Sequence, residues 1–168
     1  MTCEEKVELL EEIISDLKKE IESLKKDYLT QVYNRHYLDE LLKTEYKEQI
    51  KIKNKWFYNL ILIDLDNLHL LNREQGYEAG DEFIINVVKQ IKNLMKEQNV
   101  SGRIFRIGGD EFVVIYQPYD KLNLSSIKNI TFAEGYFGNN LSFHESIKQL
   151  DKIIIEKKGK RNDSKRVC

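Results

Sequence analysis

Apolar side chains return every seventh residue at the start of the chain, at Val7, Ile14, Ile21 and Tyr28, and Leu10, Leu17 and Leu24 follow three positions after the first three. Filled a and d positions of a heptad predict a coiled coil. Val or Ile at a with Leu at d favours two parallel strands, and the g-to-e′ pairs Lys6–Glu11 and Glu20–Lys25 carry opposite signs. Leu9 and Ile13 widen the apolar face, so a single amphipathic helix packed on its own domain stays open as the alternative. Beyond Asp27 the pattern changes. Leu38, Leu41 and Leu42 mark a helix from Asn34 to roughly Lys47. Trp56 to Ile63 is a β-branched and aromatic run that ends in Asp64-Leu65-Asp66, placing carboxylates where a buried strand meets its turn. A helix follows, Gly76 and Gly80 interrupt, and Asp81, as N-cap, opens another helix to about Met95. Two β-prone runs within residues 103–116 flank Gly108-Gly109 and predict a hairpin. A polar connector holding Pro118, a strand from Ile130 to Phe137, a helix from Phe143 to Lys158 and a basic tail complete the chain. Strands and helices alternating around one sheet predict an α/β domain.

The 168 residues, 41% hydrophobic and 33% charged, suffice for one soluble, catalytic-sized domain. A formal net charge of −1 gives no general attraction to polymeric nucleic acid or anionic membrane, so a nucleotide is the expected partner. Cys3 and Cys168 form neither a disulfide framework nor a metal-ligand spacing, which fits a reducing, cytoplasmic setting. No run reaches the roughly 18 apolar residues of a membrane span, and the charged start offers no signal core.

The chemistry concentrates at the strand ends. Gly108 and Gly109 supply a turn that admits φ > 0 and close approach by a ligand, and they deliver Asp110 and Glu111 at a rigid tip. An ordinary Gly-Gly hairpin with solvated acids is the plainer reading. If the strand ending in Asp64 lies beside this hairpin, three carboxylates face one point and suit Mg²⁺ or Mn²⁺, hard cations that prefer oxygen. Two such ions support phosphoryl or nucleotidyl transfer. His36, His69 and His144 show no ligand spacing, and neither a Walker loop nor a GxSxG elbow is present.

With Asp27-Tyr-Leu-Thr-Gln-Val-Tyr-Asn34-Arg35 similar to a D-x-L-T-x-L-x-N-R opening, Gly108-Gly-Asp-Glu-Phe112, and Asp64, Asp66, Asn72, Gly76, Gly80 and Asp81 in order between them, the chain resembles the GGDEF family. These are the diguanylate cyclases, which condense two GTP molecules into cyclic di-GMP. The resemblance implies a palm-like α/β (α+β) domain with a ferredoxin-like core, its mixed, mostly antiparallel sheet flanked by helices. It divides the chain into a coiled-coil helix over 1–28, the cyclase domain over 29–163 and a tail over 164–168. It implies that Asp64, the Leu65 carbonyl, Asp110 and Glu111 hold two metal ions per site, with Asp110 and Glu111 catalytic. Asn72 and Asp81 match the guanine readers, and Leu68, His69, Gly109 and Lys158 the residues around the phosphates. It further implies a homodimer joined by the coiled coil, with two domains facing each other.

Departures from the family pattern are also legible. His69 stands for a lysine, Arg73 for an acid and Tyr77 for a histidine. The stretch from Tyr116 to Ile130 is short and lacks a helix. Asn99-Val-Ser-Gly102 replaces the R-x-x-D motif of product inhibition, and the closing glycine-arginine register is disturbed across Gly159 to Asn162, so that a solvated basic tail is the plainer reading of Lys158 and Arg161. Two other readings accommodate these departures: a compact palm-type cyclase making another cyclic nucleotide, as minimal CRISPR-polymerase-like enzymes do, and a degenerate GTP-binding module without catalysis.

Overall fold

Period-two alternation along one central strand divides the interior into two cores. In the computed structural model, which describes residues 2–52 and 56–166 apart from the side chains of 50–52 and 161–166, strand β2 (Phe57–Leu65) is buried on both faces. Ile61, Ile63 and Leu65 face one core, and Leu60 and Leu62 face the other. A strand with no polar face needs cover on both sides. On the first side it comes from α4 (Leu68–Gln75) and α5 (Tyr77–Glu97), through Leu68, Ile84, Val88 and Ile91. On the second it comes from α2 (Arg35–Lys43) and α6 (Phe143–Arg166), through Leu38, Leu41, Leu150 and Ile154. Truncating a fully buried residue such as Ile63 or Ile91 to Ala is worth about 2–5 kcal/mol.

The sheet also holds β1 (Tyr33–Asn34), β3 (Gly102–Arg106), β4 (Glu111–Tyr116) and β5 (Ile130–Gly138), in the order β1-β3-β4-β2-β5. Among the described residues only the β1–β3 pairing is parallel. The sheet is therefore mixed and mostly antiparallel, as expected. Helix α6 comes close to β5 at Gly135, where a Cβ would stand 3.0 Å from Leu150 Cδ2.

Helix α1 (Cys3–Leu24) opens with a capping box: Glu5 N–H donates to Thr2 Oγ1, and Thr2 N–H donates to Glu5 Oε2 at 2.7 Å. It buries none of its residues, and Val7, Leu10, Ile14, Leu17 and Ile21 all stand exposed. The alternative of a helix packed on its own domain is thus not what the fold adopts. Tyr28, the last a position of the heptad pattern, lies beyond the helix end.

Three local differences from the sequence reading have physical causes. The helix expected over Asn34–Lys47 breaks at Thr44, whose hydroxyl donates back to the Glu40 carbonyl at 2.9 Å, and α3 (Glu45–Ile52) starts anew. The helix expected to open at Asp81 begins four residues earlier, because Gly76 at φ 88° ends α4 and starts α5. Asp81 is therefore the fifth residue of α5 and caps nothing. At the hairpin neither Gly108 nor Gly109 has positive φ. Their turn closes through the Ile107 and Gly108 amides, both donating to the Glu111 carbonyl.

Residues 117–129 form no helix or strand, yet Leu122, Leu124 and Ile127 plug the first core. The Asn59 amide holds this connector by donating to the carbonyls of Gln117, Pro118 and Asp120. Helix α6 continues beyond Lys158, while the Arg161 side chain and residues 167–168 of the expected tail lie outside the described residues. Among the described residues no helix is long and apolar enough to cross a membrane.

Candidate active site

Strand register assembles the acids. Antiparallel pairing sets Asp64 opposite Glu111 on one flank and opposite Thr131 on the other. The Leu65 amide donates to the Asp110 carbonyl at 2.9 Å, which ties the turn to the end of β2. Asp64 and Asp66, two residues apart, share the face covered by α6. Thr131 Oγ1 donates to Asp66 Oδ1 at 2.6 Å.

Lys158 reaches this point from α6. It continues the i, i+4 stripe of Ser146, Leu150 and Ile154, all three buried against the sheet, so its stem runs along the protein and its ammonium emerges over the strand end. There it donates to Asp64 Oδ1 and stands 3.9 Å from Asp66 Oδ1. Burial pushes the Asp64 carboxyl above its ordinary value, Lys158 works against that shift, and the charges of Asp110 and Asp66 reinforce it. Glu111 is likewise raised, first by burial and then by Asp110, Asp64 and Asp151, with Arg35 opposing.

Register puts Asp64 beside Glu111, and the charge of Asp110 acts on both, so the three carboxylates are neighbours at the strand end. Among the described residues no three His, Cys, Asp or Glu side chains stand close enough to share an ion. The donors still fit a hard divalent cation: oxygen ligands of mutually repelling, partly desolvated acids, whose repulsion such an ion relieves.

A second group lies across the α4–α5 junction. Gly80 sits directly under the Asn72 side chain; a Cβ there would overlap its amide and would lie 2.9 Å from Cγ. Asn72 Oδ1 is buried without a hydrogen-bond partner, an acceptor with no donor within the protein. Asp81 follows Gly80 on the same helix and is half-buried. Asn67, at φ 61°, turns the chain from β2 into α4, whose first amides, at buried Leu68 and exposed His69, have no intrahelical acceptor. Around Gly109 the space is open: a Cβ at this position would meet nothing within 4 Å.

The sequence reading missed Arg106. Its guanidinium donates to both Asp27 oxygens, at 3.1 and 3.3 Å, and to the Gly109 carbonyl at 2.7 Å, tying the turn after α1 to the acidic turn. Burial raises the Asp27 carboxyl, but hydrogen bonds from Thr30 and Arg106 outweigh this and leave it below its ordinary value. Asn34 secures the same junction, capping α2 through the Tyr37 amide and donating to the Leu24 and Lys26 carbonyls. An arginine two residues before a Gly-Gly turn, with an Asp in the opening motif, was the available signal.

The family model described as diguanylate cyclase, GGDEF domain, matches residues 24–132. The uncharacterized protein YtrP of Bacillus subtilis is 39% identical over 95 residues, 56% of this chain and 15% of that protein. The diguanylate cyclase DgcP of Escherichia coli is 33% identical over 102 residues, 61% of this chain and 28% of that one. The chain thus spans less than a third of the length of these curated relatives. Among solved structures, the coiled coil and GGDEF domain of DgcB from Caulobacter crescentus, in complex with c-di-GMP, superposes with a TM-score of 0.71 at 18% identity, covering 92% of this chain and 91% of that one. The fold is the palm-like one expected.

Proposed function

The chain belongs to the diguanylate cyclase GGDEF domain family, and from that premise we propose that it condenses two GTP molecules into cyclic di-GMP by metal-assisted nucleotidyl transfer across a homodimer. The observation that carries this reading is the register that sets Asp64 beside Glu111 at the strand end where Asp110 closes the turn. Asp64, the Leu65 carbonyl and Asp110, with Glu111 close by, are the groups that would hold two Mg²⁺ or Mn²⁺ ions. The chemistry supplied by bound cations here is neutralisation of charge on phosphate oxygens and acidification of the attacking hydroxyl.

The chain's own groups bind and orient. Asp81 accepts from N1–H and the exocyclic amine of guanine, a donor pair that adenine lacks, and Asn72 contacts the same base. The triphosphate meets the first amides of α4 at Leu68 and His69, the backbone at Gly109 and the Lys158 ammonium. In each of two transfers the 3′-oxygen of one nucleotide bonds to the α-phosphorus of the other. The bond from that phosphorus to pyrophosphate breaks, and the hydroxyl proton passes to the Asp110 carboxylate. Two sites must face each other, and a parallel coiled coil of α1 holds them at high effective concentration.

A GTP-binding module without turnover is the second reading, favoured by exposed His69 in place of a lysine and by the absence, among the described residues, of a closed group of three metal-ligating side chains. Pyrophosphate release from GTP by the wild-type chain separates the two, and Asp110→Asn then tests the role given to this acid. The substitution removes a ligand and a proton acceptor without touching either core, so pyrophosphate release from GTP is expected to fall at least roughly a hundredfold while the circular dichroism spectrum is kept. Pyrophosphate release at the wild-type rate in this variant would overturn the assignment.

A further inference from the structure

Lys158 places its ammonium against the acids at the end of β2. Its ammonium pairs with Asp64 and lies 3.9 Å from Asp66, with the side chains 35%, 20% and 14% exposed respectively, so the contact is partly shielded from solvent. The preceding lysine is committed elsewhere: Lys157 Nζ donates to the Phe132 carbonyl on the edge strand at 2.6 Å. Among the described residues, the other charges that act on Asp64 and Glu111 are those of Asp110, Asp66 and Asp151, all acids, and Arg35, which acts on Glu111.

We infer that Lys158 is a built-in counter-ion, holding the Asp64–Asp66 pair in the metal-free protein and yielding it to a divalent cation, so that metal binding frees the ammonium for nucleotide phosphate. The inference rests on the metal reading given under Proposed function. One ammonium cannot neutralise Asp64 and reach a phosphate with the same strength at once. A metal ion taking over Asp64 therefore releases the group that a triphosphate needs, and by linkage a phosphate that draws Lys158 away strengthens the metal site by the same factor. Competition within the site has a larger consequence than a plain phosphate ligand: removing the lysine should improve metal binding when no nucleotide is present. A lysine that stood off from Asp64 and bound only phosphate would act on the metal through screened repulsion alone, and its removal would change metal affinity by less than about threefold.

The test is Mn²⁺ affinity of the full chain without nucleotide, read from the electron paramagnetic resonance signal of free Mn²⁺, for wild type, Lys158→Met and Lys158→Arg. Lys158→Met keeps the stem that packs along α6 and loses the charge, so Mn²⁺ should bind roughly three- to thirtyfold more tightly. Lys158→Arg should stay near wild type because the charge remains. A gain of less than about threefold in folded Lys158→Met, with wild type binding normally, overturns this inference alone. No Mn²⁺ binding by any of the three chains overturns it together with the metal reading beneath it.

Discussion

Gly80→Ala tests whether the α4–α5 junction is built around Asn72. A methyl group at this position overlaps the Asn72 amide, placing Cγ at 2.9 Å and Leu68 Cδ1 at 3.3 Å. Carbon atoms rest at about 3.5–4.0 Å, so the amide must retreat by more than about half an ångström. Overpacking of this kind costs about 1–3 kcal/mol, and the better helix propensity of Ala returns about 1 kcal/mol. The net loss is about 0–2 kcal/mol, a fall in unfolding temperature of at most roughly 8 °C for a domain of this size. The nucleotide suffers more. If Asn72 contacts guanine, moving it leaves a buried polar contact unmade, worth about 1–3 kcal/mol, or roughly 5- to 150-fold in dissociation constant. Titration calorimetry with a non-hydrolysable GTP analogue, alongside thermal unfolding, reads both quantities. A variant with a raised unfolding temperature and unchanged affinity would show that the glycine serves neither Asn72 nor the base.

Leu17→Glu places a charge at a d position of α1, a helix that buries nothing within the chain, so the domain should fold as before. Sedimentation should show monomer in place of dimer, with turnover lost at low protein concentration and recovered at high concentration; an unchanged dimer would remove the coiled coil from the account. Glu111→Gln should raise the unfolding temperature of the metal-free protein at pH 7 to 8. Burial and neighbouring acids hold Glu111 above its ordinary 4.5, so between 4.5 and its raised value the folded state keeps a proton that the unfolded one has lost, and above that value the full cost of its charge is present. The gain should vanish below that ordinary value, where both states are protonated. A gain that grows in acid would contradict the sign.

Much of this architecture was legible because single strong patterns carried it. The unbroken apolar run before Asp64 needs cover on both faces, and it received α4 and α5 on one and α2 and α6 on the other. The heptad of α1 matched a helix that buries none of its residues. What stayed hidden depended on choices between equivalent local signals. Gly76 and Gly80 both punctuate a helix, and only the positive φ at Gly76 decides which one starts α5 and so frees Asp81 from capping. Thr44 looks like an ordinary helix residue until its hydroxyl returns to Glu40. In the polar connector, Leu122, Leu124 and Ile127 are too widely spaced to predict an element, yet they close the first core. Lys158 against Asp64 and Arg106 against Asp27 span 94 and 79 residues, and pattern reading has no access to pairings set by tertiary packing.

The most direct measurement is to incubate the purified chain with each of the four ribonucleoside triphosphates, singly and mixed, first with Mg²⁺ and then with Mn²⁺, and to identify the products by mass spectrometry. Cyclic di-GMP from GTP alone, absent without metal, is the expected result. A different cyclic product, or none at high protein concentration, would contradict the proposed reaction.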